Sequence, residues 1–376
     1  NKRGFILNYY QKIYFGMPGS GKSHKVHENN IKNELAISNS KNIISTVFHP
    51  EYSYGDFMGK LLPITNSKKQ VEYNYFEGFF LKALAQAYKS ILNNTSGNTS
   101  VVLIIDEINR GNSAAIFGTV FQLLDRNNEG WSSYSINISD MEFNKLIELI
   151  GLEKDYNSET YRRQGSKDGY ETLEDIIKET DLENIAFSNK EIRIPPNLSI
   201  IGTMNTSDES IYYMDSAFKR RWDWEYINNY WGKLKMEGEA CPEGYILNNN
   251  NGKDCFILKD LNSFIDKENK SKMWVTFVDN INNFLIENSD IIRGIEDKQI
   301  GYWFIKATYD TVNDCLYIPL EKIKNKLMFF LWDSVFSRDK EPLNELLSTD
   351  TDKIKLKTFG EFQEHTEKLI DIIMDK

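Results

Sequence analysis

Apolar residues gather in short continuous runs through the first part of the chain. Between those runs lie longer stretches in which they return every three or four positions. Lys12-Ile13-Tyr14-Phe15, Ile43-Ile44-Ser45-Thr46-Val47-Phe48, Val101-Val102-Leu103-Ile104-Ile105 and Leu198-Ser199-Ile200-Ile201-Gly202-Thr203 are the clearest runs. The third is wholly apolar and β-branched apart from one leucine, which predicts a strand covered on both faces. Phe79 to Leu92 and Ala114 to Leu124 carry the helical spacing and predict amphipathic helices. Strand and helix alternating in this way predict an α/β fold with a parallel sheet between helical layers.

Two stretches interrupt the pattern. Residues 130–194 are polar with mixed charge, and predict helices only near Glu142–Ile150 and Leu173–Glu179. Residues 232–270 contain Asn248-Asn249-Asn250-Asn251-Gly252, a turn or loop signal. From about residue 271 the pattern is mostly helical, as in Phe277–Ile286 and Ile323–Phe336. The expected organisation is therefore a domain over 1–230 with an insertion at about 130–194, a polar insertion over 231–270, and a smaller helical domain over 271–376.

Composition narrows the class. No apolar run reaches the roughly 18 residues that span a bilayer, and no signal-peptide pattern opens the chain. Three cysteines in 376 residues, Cys241, Cys255 and Cys315, are too few for a disulfide framework. A cytoplasmic setting is expected. The net charge of −10 argues against a surface that coats DNA, since phosphate contacts dominate such binding; a local basic groove stays compatible with it. The chain opens with Asn1, close to the first strand, and a further segment upstream is expected.

The chemistry concentrates in four places. Gly16-Met17-Pro18-Gly19-Ser20-Gly21-Lys22-Ser23 fits G-x-x-x-x-G-K-[ST] directly after a predicted strand. Glycines there let backbone N–H groups turn towards phosphate oxygens at a helix start. Lys22 is expected on the β- and γ-phosphates and Ser23 on Mg²⁺. Asp106 and Glu107 end the strand Val101–Ile105, one carboxylate to hold Mg²⁺ and the next to activate water. Asn205 follows the fourth run and is placed to position that water. Lys219-Arg220-Arg221 follows a short predicted helix, Ile211–Phe218, and either arginine suits charge stabilisation on the γ-phosphate of a neighbouring subunit. His24 and His27 lack further Cys or His partners nearby and are expected as surface histidines.

These motifs resemble those of the McrB family of AAA+ nucleotide hydrolases, motor subunits of modification-dependent restriction systems. The segments that carry the likeness are Phe48-His49-Pro50-Glu51-Tyr52-Ser53-Tyr54-Gly55-Asp56-Phe57, Ile104–Gly111, Ile201-Gly202-Thr203-Met204-Asn205-Thr206-Ser207-Asp208 and Met214–Arg221. Lys298-Gln299-Ile300-Gly301-Tyr302 resembles a later segment of the family. The likeness covers residues 12–125 and 195–227 closely and 271–376 loosely. It implies an AAA+ P-loop αβα domain with a helical lid, assembled as a hexameric ring. It also implies Asp106 on Mg²⁺, Glu107 on water, Asn205 as sensor, and Arg220 or Arg221 reaching the next subunit. GTP is the family's hallmark, while the residues read here leave GTP and ATP both open. An McrC-like nuclease partner and DNA, met through an upstream domain, complete what the resemblance implies. One departure stands out: Asp208 is followed by Glu209, where the family commonly has Arg. The competing reading is an ATP-driven protein remodeller of MoxR or dynein-related type, suggested by the acidic charge and the polar insertions.

Overall fold

The computed structural model describes residues 9–93, 99–205, 212–227, 255–258 and 274–375, except 156, 168, 179, 307 and 311–314. The expected insertion at 231–270 lies outside them apart from the strand Cys255–Leu258. Two compact units emerge. One holds residues 1–14, 23–204 and 209–225; the other holds 15–22, 205–208 and 226–376.

The core of the first unit is a parallel sheet of five strands. Its order is Asp223–Tyr226, Gln11–Gly16, Leu198–Asn205, Val101–Asp106, Ile43–Val47. Val101–Asp106 pairs in parallel with both Leu198–Asn205 and Ile43–Val47. Residues 101–105 are buried throughout, as a two-sided apolar run requires. The four predicted strands are therefore all present, and the α/β class holds. Asp223–Tyr226 is an edge strand that the sequence pattern did not reveal.

Phe79–Leu92 is a helix over the predicted span, and it turns Phe80, Leu81, Leu84, Ala87, Tyr88 and Leu92 into the core. The helix expected over 114–124 is interrupted. Ser113–Phe117 is α-helical and residues 118–124 tighten to a 3-10 form, with Gly118 at φ 48°. A left-handed residue cannot continue a right-handed helix, which sets the break at that glycine.

The insertion at 130–194 shares the core of the sheet rather than forming its own. Ser139 and Glu142 make a capping box on the helix Asp140–Ile150, satisfying two amides that a helix start leaves open. Phe143, Leu146, Ile147 and Ile150 then join the buried cluster that contains Leu103 and Leu198. Each such side chain contributes about 1.5–3 kcal/mol by burial. Leu173–Ile177 is the second expected helix, shorter than predicted.

A hairpin, Gly59–Thr65 with Val71–Glu77, stands in strict antiparallel register. Leu61, Val71, Tyr73 and Phe76 on it are exposed.

The second unit has its own core, with Trp274, Phe277, Ile281, Leu327, Leu331 and Phe362 among its buried residues. Trp274–Glu287 is a helix, and 320–335 forms a continuous helical run. The expected helical character is present. A three-stranded sheet is added to it, ordered Cys255–Leu258, Cys315–Pro319, Thr308–Asp310.

Candidate functional site

The glycine-rich loop leaves the strand Gln11–Gly16 and enters a helix at Lys22. Gly19 lies at φ 78°, and a Cβ there would stand 2.4 Å from the Phe304 nitrogen. Both the left-handed backbone and the close approach require glycine at that position. The Lys22 side chain is buried, and its Nζ donates to the carbonyls of Gly16 and Met17, each at 2.9 Å. The ammonium thus lies folded along its own loop. Ser20 is also buried, and its hydroxyl finds no hydrogen-bond partner among the described residues. A buried hydroxyl without a partner costs on the order of 1–3 kcal/mol, so this loop has an open polar group where a phosphate oxygen would satisfy it. Ser23, next along the helix, is exposed. Of the two histidines beyond it, His27 is exposed as expected and His24 is half-buried.

Asp106 ends the buried strand Val101–Asp106. Thr203, on the adjacent strand, donates its hydroxyl to Asp106 Oδ1 at 2.7 Å. One carboxylate oxygen is thereby fixed by the sheet itself. Glu107 turns the chain sharply, with φ 54°, a left-handed conformation uncommon outside glycine, asparagine and aspartate. The turn is closed on both sides. Ile108 N–H donates to Thr203 O at 3.0 Å, and Arg110 N–H donates to Glu107 O at 2.9 Å. Arg110 Nε stands 3.4 Å from Glu107 Oε2, so the glutamate carboxylate faces a guanidinium three residues on. Tyr212 N–H donates to Asn109 O at 2.9 Å, which ties the chain after residue 211 to this same turn.

Asn205 is the last residue of Leu198–Asn205, the strand beside the one that Asp106 ends. The signature beyond it, Thr206 to Asp208 with Glu209, lies outside the described residues, as does Ile211. The helix expected at 211–218 is Ser216–Lys219, capped by Asp215, whose side chain accepts from Phe218 N–H at 2.7 Å.

The two arginines after that helix differ. Arg221 ion-pairs Asp125 at 2.7 Å, donates to Ala217 O, and lies 4.0 Å over the Phe121 ring. Arg220 is exposed, and its side chain makes no hydrogen bond or ion pair among the described residues. Arg221 is thus committed within its own chain, and Arg220 is the arginine that presents its charge outward. Thr203 and Arg110 were missed as site residues. Their roles depend on contacts 97 residues apart and on the turn geometry at Glu107, neither of which leaves a local pattern.

No family model matches the chain. Across curated proteins it is 27% identical over 361 residues to the Type II restriction enzyme BsuMI component YdiS of Bacillus subtilis (strain 168), which takes in 90% of this chain and 82% of that one. It is 26% identical over 176 residues to the Type IV methyl-directed restriction enzyme EcoKMcrB subunit of Escherichia coli (strain K12), 46% of this chain and 26% of that subunit.

Proposed function

This chain is an McrB-like AAA+ protein, and on that footing we propose that it is the Mg²⁺-dependent nucleotide-hydrolysing motor of a restriction system, working with a separate nuclease subunit. The observation that carries the reading is the pairing of two local devices. One is a phosphate loop with a buried lysine and a buried serine hydroxyl that has no hydrogen-bond partner among the described residues. The other is a strand-end Asp106–Glu107 pair locked by Thr203 and Arg110. The likeness to components of Type II and Type IV restriction enzymes supports the setting.

In this reading Lys22 leaves the carbonyls of Gly16 and Met17 and turns to the β- and γ-phosphates. Ser20 donates its hydroxyl to the same anion. Ser23 and Asp106 are the residues that would hold Mg²⁺. Such an ion would take its remaining ligands from phosphates and water. When bound, the ion would supply charge neutralisation to the β- and γ-phosphates. Glu107 accepts a proton from the attacking water, Asn205 orients that water, and Arg220 serves the site of an adjacent subunit in a ring. DNA is the track on which the motor acts, and GTP is the favoured nucleotide by family resemblance.

A second reading, protein remodelling driven by ATP, is favoured by one feature: the hairpin Gly59–Glu77 exposes Leu61, Val71, Tyr73 and Phe76. Exposed apolar patches of this kind often mark protein contacts.

Steady-state hydrolysis of GTP and ATP, each with added DNA or an unfolded polypeptide, separates the readings. GTP turnover raised by DNA or by a nuclease partner supports the restriction motor. ATP turnover raised by polypeptide alone selects the remodeller, and turnover that survives both Lys22→Ala and Glu107→Gln sinks the catalytic assignment.

A further inference from the structure

Residues 299–304 meet the phosphate loop backbone to backbone. Gly301 N–H donates to Pro18 O at 2.9 Å, and Trp303 N–H donates to Gly19 O at 3.0 Å. A Cβ built on Gly301 would lie 2.2 Å from the carbonyl atoms of Gly19. No side chain fits between two chains that close.

The intervening residues are gripped by a single helix, Trp274–Glu287. Buried Asn282 accepts from Ile300 N–H and donates to Ile300 O, both at 2.9 Å, satisfying the two polar groups of that residue at once. Trp274 Nε1 donates to Tyr302 O at 2.7 Å, and the Tyr302 hydroxyl donates to Asp279 Oδ1 at 2.7 Å. The pattern alternates: Ile300 and Tyr302 are held by the helix, while Gly301 and Trp303 hold the loop. Residues 301–304 form a turn closed by Phe304 N–H donating to Gly301 O at 2.9 Å, so one short strap serves both surfaces.

We propose that residues 299–304 are a strap that fixes the conformation of the phosphate loop, and that Asn282 is the positioning residue through which the helix Trp274–Glu287 sets it. The proposal rests on reading Gly16–Ser23 as a nucleotide-binding loop. Its consequence is a coupling: whatever stabilises the helix–strap contact tightens nucleotide binding, and bound nucleotide protects the strap to the same degree, because coupling free energies are reciprocal.

Asn282→Asp tests it on the full chain. The aspartate still accepts from Ile300 N–H, but once ionised it has no proton to donate to Ile300 O and sets an anion against that carbonyl. Protonation restores the donor. Hydrogen exchange of the amides in 16–22, without nucleotide, is expected to speed about tenfold at pH 8, the loss of one such bond being worth roughly 1.4 kcal/mol. After correction for intrinsic exchange, protection is expected to return as the pH is lowered towards 5. Affinity for fluorescent GTP or ATP analogues should weaken and recover in parallel. Trp274→Phe, which removes the indole donor and keeps one aromatic ring in the buried site, is a second variant with the same expected direction and no pH recovery.

Exchange at 16–22 that matches wild type in both folded variants overturns the strap. So does a rise spread evenly over the helical run 320–335, since that is general loosening. If wild type binds neither nucleotide, the nucleotide-loop reading falls by itself, while exchange at 16–22 still judges the strap.

Discussion

Thr203 and Asp106 join the ends of two neighbouring parallel strands through a 2.7 Å hydrogen bond from hydroxyl to carboxylate. The bond fixes Oδ1 of the carboxylate proposed to hold Mg²⁺. Hydrogen bonds to charged groups are worth about 1.5–3 kcal/mol. Thr203→Val keeps the shape and deletes the donor, so the Mg²⁺ concentration for half-maximal hydrolysis is expected to rise about tenfold or more, with Thr203→Ser restoring it. A magnesium titration of turnover checks this. An unchanged midpoint in the valine variant would separate Asp106 from metal binding.

Glu107 occupies a left-handed turn, φ 54°, that glycine would adopt without strain. The strain is worth on the order of 1 kcal/mol. Glu107→Gly is therefore expected to hold or raise thermal stability by up to about 1 kcal/mol while hydrolysis falls at least a hundredfold. Glu107→Gln should lose turnover similarly, with nucleotide binding retained. Melting curves measured beside turnover test both halves. A glycine variant that is clearly less stable would mean the turn is held by the side chain, through Arg110, more than it is strained.

How much of this was legible in the sequence depends on how local each cause is. The strand Val101–Asp106 and the helix Phe79–Leu92 are written in their apolar spacing, and the phosphate loop in its glycines. The hairpin Gly59–Glu77 was not read, because its apolar residues face outward and mark no buried face. The edge strand Asp223–Tyr226 is too short to show a period. Cys315–Pro319 pairs across some sixty residues with Cys255–Leu258, so the small sheet of the second unit has no local signal. The same holds for Arg220 and Arg221: identical as sequence candidates, they are separated only by the ion pair that Asp125 gives one of them.

That separation makes opposite predictions for the two arginines. Arg221→Ala removes a nearly buried guanidinium from Asp125 and from the Phe121 ring, and is expected to cost about 2–4 kcal/mol of stability. Arg220→Ala should leave stability within about 0.5 kcal/mol and lower turnover tenfold or more. If Arg220 acts on a neighbour, mixing Arg220→Ala subunits with Glu107→Gln subunits should recover part of the lost activity. Two dead variants that stay dead when mixed would place Arg220 outside the catalytic machinery.

The last prediction concerns acid. Glu225 sits between Lys12, at 2.8 Å, and Lys25, with Tyr10, Tyr14 and Glu34 close by. Burial raises its carboxyl, but hydrogen bonds and charge from the two lysines outweigh that and hold it below the ordinary glutamate value. A carboxyl depressed in the folded state stabilises the fold above its unfolded value, near 4.3, and loses that contribution as pH falls through the folded value. Partial exposure limits the effect to about 1 kcal/mol at neutral pH. Glu225→Gln is therefore expected to be about 1 kcal/mol less stable than wild type at pH 7. The gap should close as the pH drops below about 4.3. Denaturant titrations of both proteins across that range measure it. A gap that stays constant into acid would show that the three groups hold together by packing rather than by charge.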